Sequence, residues 1–204
     1  MGSWQPDAGA SGATDAASDV ALVARAKHDP DAFGWLYARH RDRLVRYCFY
    51  RLGDWADAED AANEAFTKAF VRIASFTERG DAFTPWLFRI AHNEVIDRHR
   101  RRRVRADLPL AAAADRADPR PLPDEAAADA DAHDRLLALL DALSEDQRQV
   151  LKLRLAGLTG TEIAAVLGKR HDAVRQLQSR ALERLRTLVA AAGAETVGRG
   201  PSGD

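Results

Sequence analysis

One cysteine in 204 residues excludes an internal disulfide and fits a reducing compartment. That thiol, Cys48, lies among Leu44, Tyr47 and Phe49, the setting of a buried structural side chain rather than a nucleophile. No apolar run approaches the roughly 18 residues that a membrane helix needs. No charged-then-apolar leader opens the chain, so a soluble cytoplasmic protein with no membrane partner is expected. Charge of one sign is also missing. The formal net charge is −1, so any nucleic-acid surface must be local. The histidines (His28, His40, His92, His99, His133, His171) are dispersed, and none forms a metal-ligand spacing. The acids at Asp57, Glu59 and Asp60 lack the glycine and the alternation of a calcium loop. Phosphate-cradling loops, nucleophile elbows and strand alternation are absent too. These absences point to an all-α binding protein without metal, cofactor or catalysis of its own.

What is present is clearest between Ser144 and Leu188. Ser144 with Gln147, and Thr159 with Glu162, each have the spacing of a capping box. The first opens a helix carrying Val150, Leu151 and Leu155, stopped by Gly157. The second opens a short helix carrying Ile163, Ala164 and Leu167, and Gly168 stands where a left-handed residue would end it. Val174, Leu177, Ala181, Leu185 and Leu188 then mark one face of a third helix. Two short helices and a tight turn make a helix-turn-helix, whose second helix enters the DNA major groove. Arg175, Gln176, Ser179, Glu183 and Arg186 point away from the apolar stripe, and Arg180 is the next base-reading candidate beside them. Arg and Gln pair bidentately with guanine and adenine edges. Lys169, Arg170 and His171 crowd the turn at the positive end of the helix dipole, where a docked phosphate would offset their mutual cost.

Upstream, residues 1–17 lack periodicity and read as disordered. Ser18 caps a first helix, Asp19 to His28. A second, Asp31 to Leu52, buries Phe33, Leu36, Tyr37, Leu44, Tyr47 and Cys48, and Gly53 ends it. A third, about Ala56 to Ala74, turns Ala62, Phe66, Ala69, Phe70 and Ile73 inward behind an acidic first turn. Ser75 to Thr84 is a polar loop with two exposed-looking rings, Phe76 and Phe83. Thr84-Pro85 reads as an N-cap followed by proline at N1, starting a helix of roughly Trp86 to Arg103. Leu87, Ile90, Ala91 and Val95 face inward, while His92, Asn93, Asp97, Arg98 and His99 do not. Six arginines in the eight residues 98–105 end it. Even three or four phosphate contacts from them would give a log–log salt slope of about −3.

Residues 106–134 change character: alanine and proline dominate, and eight acids face two arginines, the composition of a flexible tether. Much of the chain's alanine lies in such segments, so modest cores are expected. The expected organisation is two small helical domains, 18–105 and 135–189, joined by that acidic linker and followed by a disordered tail, 190–204.

Those pieces, in that order, resemble a bacterial sigma factor of the extracytoplasmic-function group within the sigma-70 family. Asp57-Ala58-Glu59-Asp60 with Asn63, Glu64 and Phe66 is similar to the family helix that docks on core RNA polymerase, which implies that role for Asp57, Glu59, Asp60, Asn63 and Glu64. Pro85-Trp86-Leu87, Ile90-Ala91-His92-Asn93 and Asp97-Arg98 resemble the stretch that handles the minus-ten promoter element. There the candidates are Phe76, Thr77, Phe83, Trp86, Asn93, Arg98, Arg101 and Arg102; the resemblance implies that Phe76 and Phe83 stack an extruded base, and the alternative is that both plug the bundle. Gln147-Arg148, Val150-Leu151, Gly157-Leu158-Thr159 and Glu162-Ile163-Ala164 resemble the signatures around the minus-thirty-five reader, implying that role for Lys169, Arg170, His171, Arg175, Gln176, Ser179 and Arg180. Asn63 departs from the family's usual Gln, and Arg170 and Asp172 stand where Ser and Gly commonly begin the recognition helix.

The resemblance implies transcription initiation from specific promoters, with core RNA polymerase, promoter DNA and an unidentified anti-sigma factor as partners. It also implies that the linker threads the polymerase's RNA-side channel. A stand-alone helix-turn-helix regulator would instead bind duplex tightly alone, usually as a dimer. A DNA recombinase would need a nucleophilic Ser or Tyr backed by arginines.

Overall fold

The first three helices each begin on an oxygen that relieves free backbone donors. In the computed structural model, which describes residues 18–77, 82–106 and 139–197, Ser18 Oγ accepts from the Ala21 amide and opens α1, Asp19–Ala26. Asp29 accepts from Asp31 and, with Pro30 at N1, opens α2, Pro30–Leu52; Gly53 closes it in the left-handed conformation (φ 74°). Asp54 accepts from the Asp57 amide at 2.7 Å and opens α3, Trp55–Arg72, which tightens into a 3-10 turn, Ile73–Ser75. After residues 78–81, which lie outside the described chain, α4 runs from Phe83–Ala106.

These helices bury Leu22, Leu36, Leu44, Tyr47, Leu87 and Phe88 completely. Truncating one such leucine to alanine would cost about 2–5 kcal/mol. α3 contributes an alanine ridge, Ala58, Ala61, Ala62, Ala65 and Ala69, all at or near zero exposure. Small side chains let neighbouring backbones approach, so here alanine builds the core rather than diluting it. Phe66 is buried as expected, but Phe70 is 43 % exposed and only edges against Phe33, at 5.1 Å between ring centres. Cys48 is fully buried, and burial pushes its thiol up to about 12.

The second half holds α5, Glu145–Leu155, α6, Gly160–Leu167, and α7, His171–Val197. Both capping boxes form: Ser144 with Gln147, and Thr159 with Glu162, each accept and return a hydrogen bond. Gly157 (φ 84°) and Gly168 (φ 62°) make the two turns that the sequence placed on them. α7 continues to Val197, through the first half of the segment expected to be a tail. The acidic linker lies outside the described residues.

The two helical units are not merely tethered. α6 packs along α4, α5 reaches α2, and one continuous core joins Tyr47, Phe88 and Val95 to Val150, Leu153, Leu158, Ile163 and Val166. A smaller cluster, Leu140, Leu143, Leu151 and Ala181, holds α5 to α7. Arg43 on α2 fastens the joint: its Nε donates to the Ala156 carbonyl at 3.1 Å and its Nη2 to the Gly157 carbonyl at 3.0 Å. Lys152 is buried nearby; burial first, then Arg51 and Arg148, bring its amine down to about 8.

Candidate functional site

Three faces carry the polar residues that the packing leaves available. On α7, Val174 and Ala181 are buried and Leu177, Leu185 and Leu188 partly so, which turns Arg175, Gln176, Ser179 and Arg180 to solvent. Arg175 is held loosely by Asp172 one turn back, at 3.6 Å. Lys169 bridges to Asp146 at 3.0 Å, tying the turn to the start of α5. His171 lies so close to Gly160 that an added Cβ there would stand 3.0 Å from its Nε2. The glycine therefore sets how closely α7 approaches α6. Arg170 and His171 are exposed on the turn.

The second face is the acidic side of α3. Asp60 and Glu64 are exposed, Asp57 and Glu59 half-buried, and Asn63 accepts from the Tyr37 hydroxyl at 3.2 Å. Glu59 pairs with Arg41 at 3.0 Å, and Glu64 with Lys68 at 3.5 Å.

The third face is α4. Trp86 and Asn93 stand about two turns apart on one side of the helix, with Asn93 exposed and Trp86 partly so. Thr77 is exposed just before residues 78–81. Phe76 and Phe83 are not exposed rings: they are 5 % and 3 % accessible. Phe76 packs on Trp86 with 4.6 Å between centres, and Phe83 on His40 at 5.4 Å. Of the two alternatives, plugging the bundle is the one the structure adopts. Thr84 is likewise no N-cap, because the helix begins at Phe83; its hydroxyl donates to Asp19 at 3.3 Å. Asp19 also meets His40 and Arg39, both at 2.9 Å. Burial alone would raise the Asp19 carboxyl, but His40 and Arg39 bring it down to about 2.

The arginine-rich end of α4 turns back toward α3. A cleft of about 420 Å³ between the two helices is lined by Asp57, Glu64, Lys68, Glu94, Arg98, Arg101 and Arg102. Its centre is Glu94, 4 % exposed, which accepts from Lys68 at 2.5 Å, Arg98 at 3.1 Å and Arg101 at 3.0 Å. Burial would raise its pKa, yet Lys68 and Arg98 hold it below the usual carboxylate range. Asp57 takes Arg102 directly and Arg98 at 3.8 Å. Two helices assigned to different partners are thus laced together. Sequence reasoning missed Glu94 and Lys68; the available signal was the Glu94–Arg98 spacing of one helical turn. Among the described residues no cluster of His, Cys, Asp and Glu could hold a metal, and no helix is long and apolar enough to cross a membrane.

The family pattern "Sigma-70 region 2" matches residues 36–105, and "Sigma-70, region 4" matches residues 133–185. The chain is 35 % identical over 178 residues to the ECF RNA polymerase sigma factor BldN of Streptomyces coelicolor, covering 86 % of this chain and 67 % of that protein. It is 34 % identical over 180 residues to the ECF RNA polymerase sigma factor SigD of Mycobacterium tuberculosis, covering 86 % and 85 %. The fold is similar to that of CnrH in complex with the cytosolic domain of CnrY, with a TM-score of 0.66 and 27 % identity over 85 % of this chain and 97 % of that one.

Proposed function

The chain belongs to the extracytoplasmic-function group of the sigma-70 family, and from that premise we propose how its residues divide the work. Sigma factors direct RNA polymerase to promoters through regions 2 and 4; they are specificity subunits, not enzymes. In this chain Asp57, Glu59, Asp60, Asn63 and Glu64 on α3 dock core polymerase. Trp86, Asn93 and Thr77 handle the minus-ten element, with Arg98, Arg101 and Arg102 on its phosphates. Phe76 and Phe83 brace Trp86 from inside. Lys169, Arg170 and His171 hold phosphates of the minus-thirty-five element, while Arg175, Gln176, Ser179 and Arg180 read it.

The observation that carries this reading is the exposed Arg175, Gln176, Ser179 and Arg180 face of α7, which follows the two box-capped helices α5 and α6 across the left-handed turn at Gly168. Polar side chains able to pair with base edges have no packing role there. Residues 18–105 and 135–189 form the two functional domains, with 106–134 as the tether between them, and the protein works in the cytoplasm. An anti-sigma factor belongs to the same proposal, on the likeness to CnrH, which is seen with the cytosolic domain of CnrY.

Size-exclusion chromatography with bacterial core RNA polymerase tests this. Stoichiometric co-elution is expected, and its loss in an Asp60→Lys, Glu64→Lys variant. Failure of the wild-type chain to co-elute would overturn the assignment and leave a stand-alone helix-turn-helix regulator.

A further inference from the structure

The cleft between α3 and α4 sets four cations, Lys68, Arg98, Arg101 and Arg102, against three carboxylates, Asp57, Glu64 and Glu94. The carboxylates differ in how they can be reached. Glu94 is 4 % exposed, enclosed by its own cations and inaccessible to a partner protein. The Asp57 carboxyl is 32 % exposed. It lies on the same helical stripe as Asp60 and Glu64, one and two turns before them. A basic surface that settles on Asp60 and Glu64 therefore meets Asp57 as well. Asp57 is also where the Arg102 guanidinium rests, and a secondary partner of Arg98.

We infer that Asp57 and Arg102 form an exchangeable ion pair: in the free chain Asp57 masks Arg102, and a basic polymerase surface that takes Asp57 hands Arg102 to nucleic-acid phosphate. This rests on the docking and minus-ten assignments proposed above and deepens them. Glu94 has the complementary duty of a positioning residue. Its bonds to Lys68, Arg98 and Arg101 survive the exchange, so those three cations stay aligned while Arg102 is released. The energetics suit an exchange rather than a lock. A half-exposed ion pair is weak, because water solvates both charges nearly as well as they solvate each other. A competitor can therefore take either partner at small cost. Coupling of this kind is reciprocal: whatever core binding adds to DNA affinity through Arg102, DNA binding adds to core affinity through Asp57.

The test compares two neutralisations of identical charge change, Asp57→Asn and Asp60→Asn. Among the described residues Asp60 pairs with no arginine, so it controls for the general loss of one negative charge. The probe is a short fluorescein-labelled single-stranded oligonucleotide of mixed sequence, titrated by anisotropy against the full chain without polymerase. Asp57→Asn should tighten binding about two- to fivefold and steepen the log–log salt dependence by about 0.7, one added phosphate contact on a single strand. Asp60→Asn should change neither beyond a small uniform shift. Adding Arg102→Ala to Asp57→Asn should abolish the gain. Arg102→Ala alone should lower the dissociation constant for core polymerase, since it frees Asp57. Circular dichroism of each variant controls for folding.

Equal effects of the two neutralisations, or a gain that persists without Arg102, would overturn the exchange while leaving the docking assignment intact. If the wild-type chain fails to bind core at all, the assignment falls and the exchange falls with it.

Discussion

Arg51 on α2 and Glu145 at the head of α5 are 94 positions apart in the chain and 2.9 Å apart in space. The pair is lopsided. The Arg51 side chain is 7 % exposed, with its Nε buried and unpaired, whereas Glu145 is 56 % exposed. Removing Glu145 leaves a buried guanidinium short of its counter-charge; removing Arg51 leaves a carboxylate that water can solvate. Glu145→Ala should therefore loosen the joint between the two helical units by about 2 kcal/mol, and Arg51→Met by clearly less. Small-angle scattering and urea midpoints of the two variants would show it. Equal radii and midpoints would mean that the apolar contact alone holds the joint.

Acid should weaken the structure through His92. Burial, helped by Arg51, brings its imidazole down to about 4, and the Tyr47 hydroxyl lies 2.8 Å from Nδ1, a geometry in which neutral Nδ1 can accept. A base whose folded pKa lies below its unfolded value stabilises when neutral. That contribution is complete above about pH 6.5 and is lost as pH falls toward 4, with a ceiling of about 3 kcal/mol. Denaturation midpoints should fall across that window in the wild type and remain flatter in His92→Gln. The loss due to Asp19 comes lower, between its ordinary value of 3.8 and about 2, so the two are separable.

Substitution of the α7 face should cost promoter use without costing stability. Arg175→Ala or Gln176→Ala should lower transcription from a promoter that needs its upstream element, by about 1–3 kcal/mol if the lost contact is bidentate. Thermal midpoints should stay put, because both side chains are exposed. Unchanged transcription would remove these two residues from the reading face.

Gly168→Ala isolates backbone strain. With φ at 62° and nothing within 4 Å of the added Cβ, crowding contributes nothing. The left-handed conformation alone should cost about 1–2 kcal/mol, seen as a lower thermal midpoint. An unchanged midpoint would mean that the turn relaxes away from that conformation.

Local chemistry was legible in the sequence; partnership between segments was not. Ser144, Thr159, Gly157 and Gly168 each act through neighbours within a few residues, so spacing alone located both capping boxes and both turns. The stripe on α4 was equally readable at Leu87, Ile90, Ala91 and Val95. Periodicity, however, says that a face is buried and not what covers it. Ile163 and Val166 look like the core of a small isolated domain, yet they share one core with Phe88 and Val95 of the other unit. Phe76 and Phe83 sit in a polar stretch, and only the tertiary position of Trp86 and His40 reveals that they are enclosed. Thr84 had the right neighbours for a cap, but a distant carboxylate, Asp19, claims its hydroxyl. Phe70 fits the inward stripe of α3, yet its ring only edges against Phe33 and stays exposed while Ala69 and Ile73 on either side are buried.

Arg43 grips main-chain oxygens of residues 156 and 157 rather than any side chain of the recognition unit. Every amino acid offers that carbonyl, so the clasp places no demand on what stands at position 156. Mutation can change the exposed face of α7 without touching the joint that carries it. Anchorage and vocabulary are thereby inherited separately, which leaves the promoter repertoire free to drift while the architecture stays fixed.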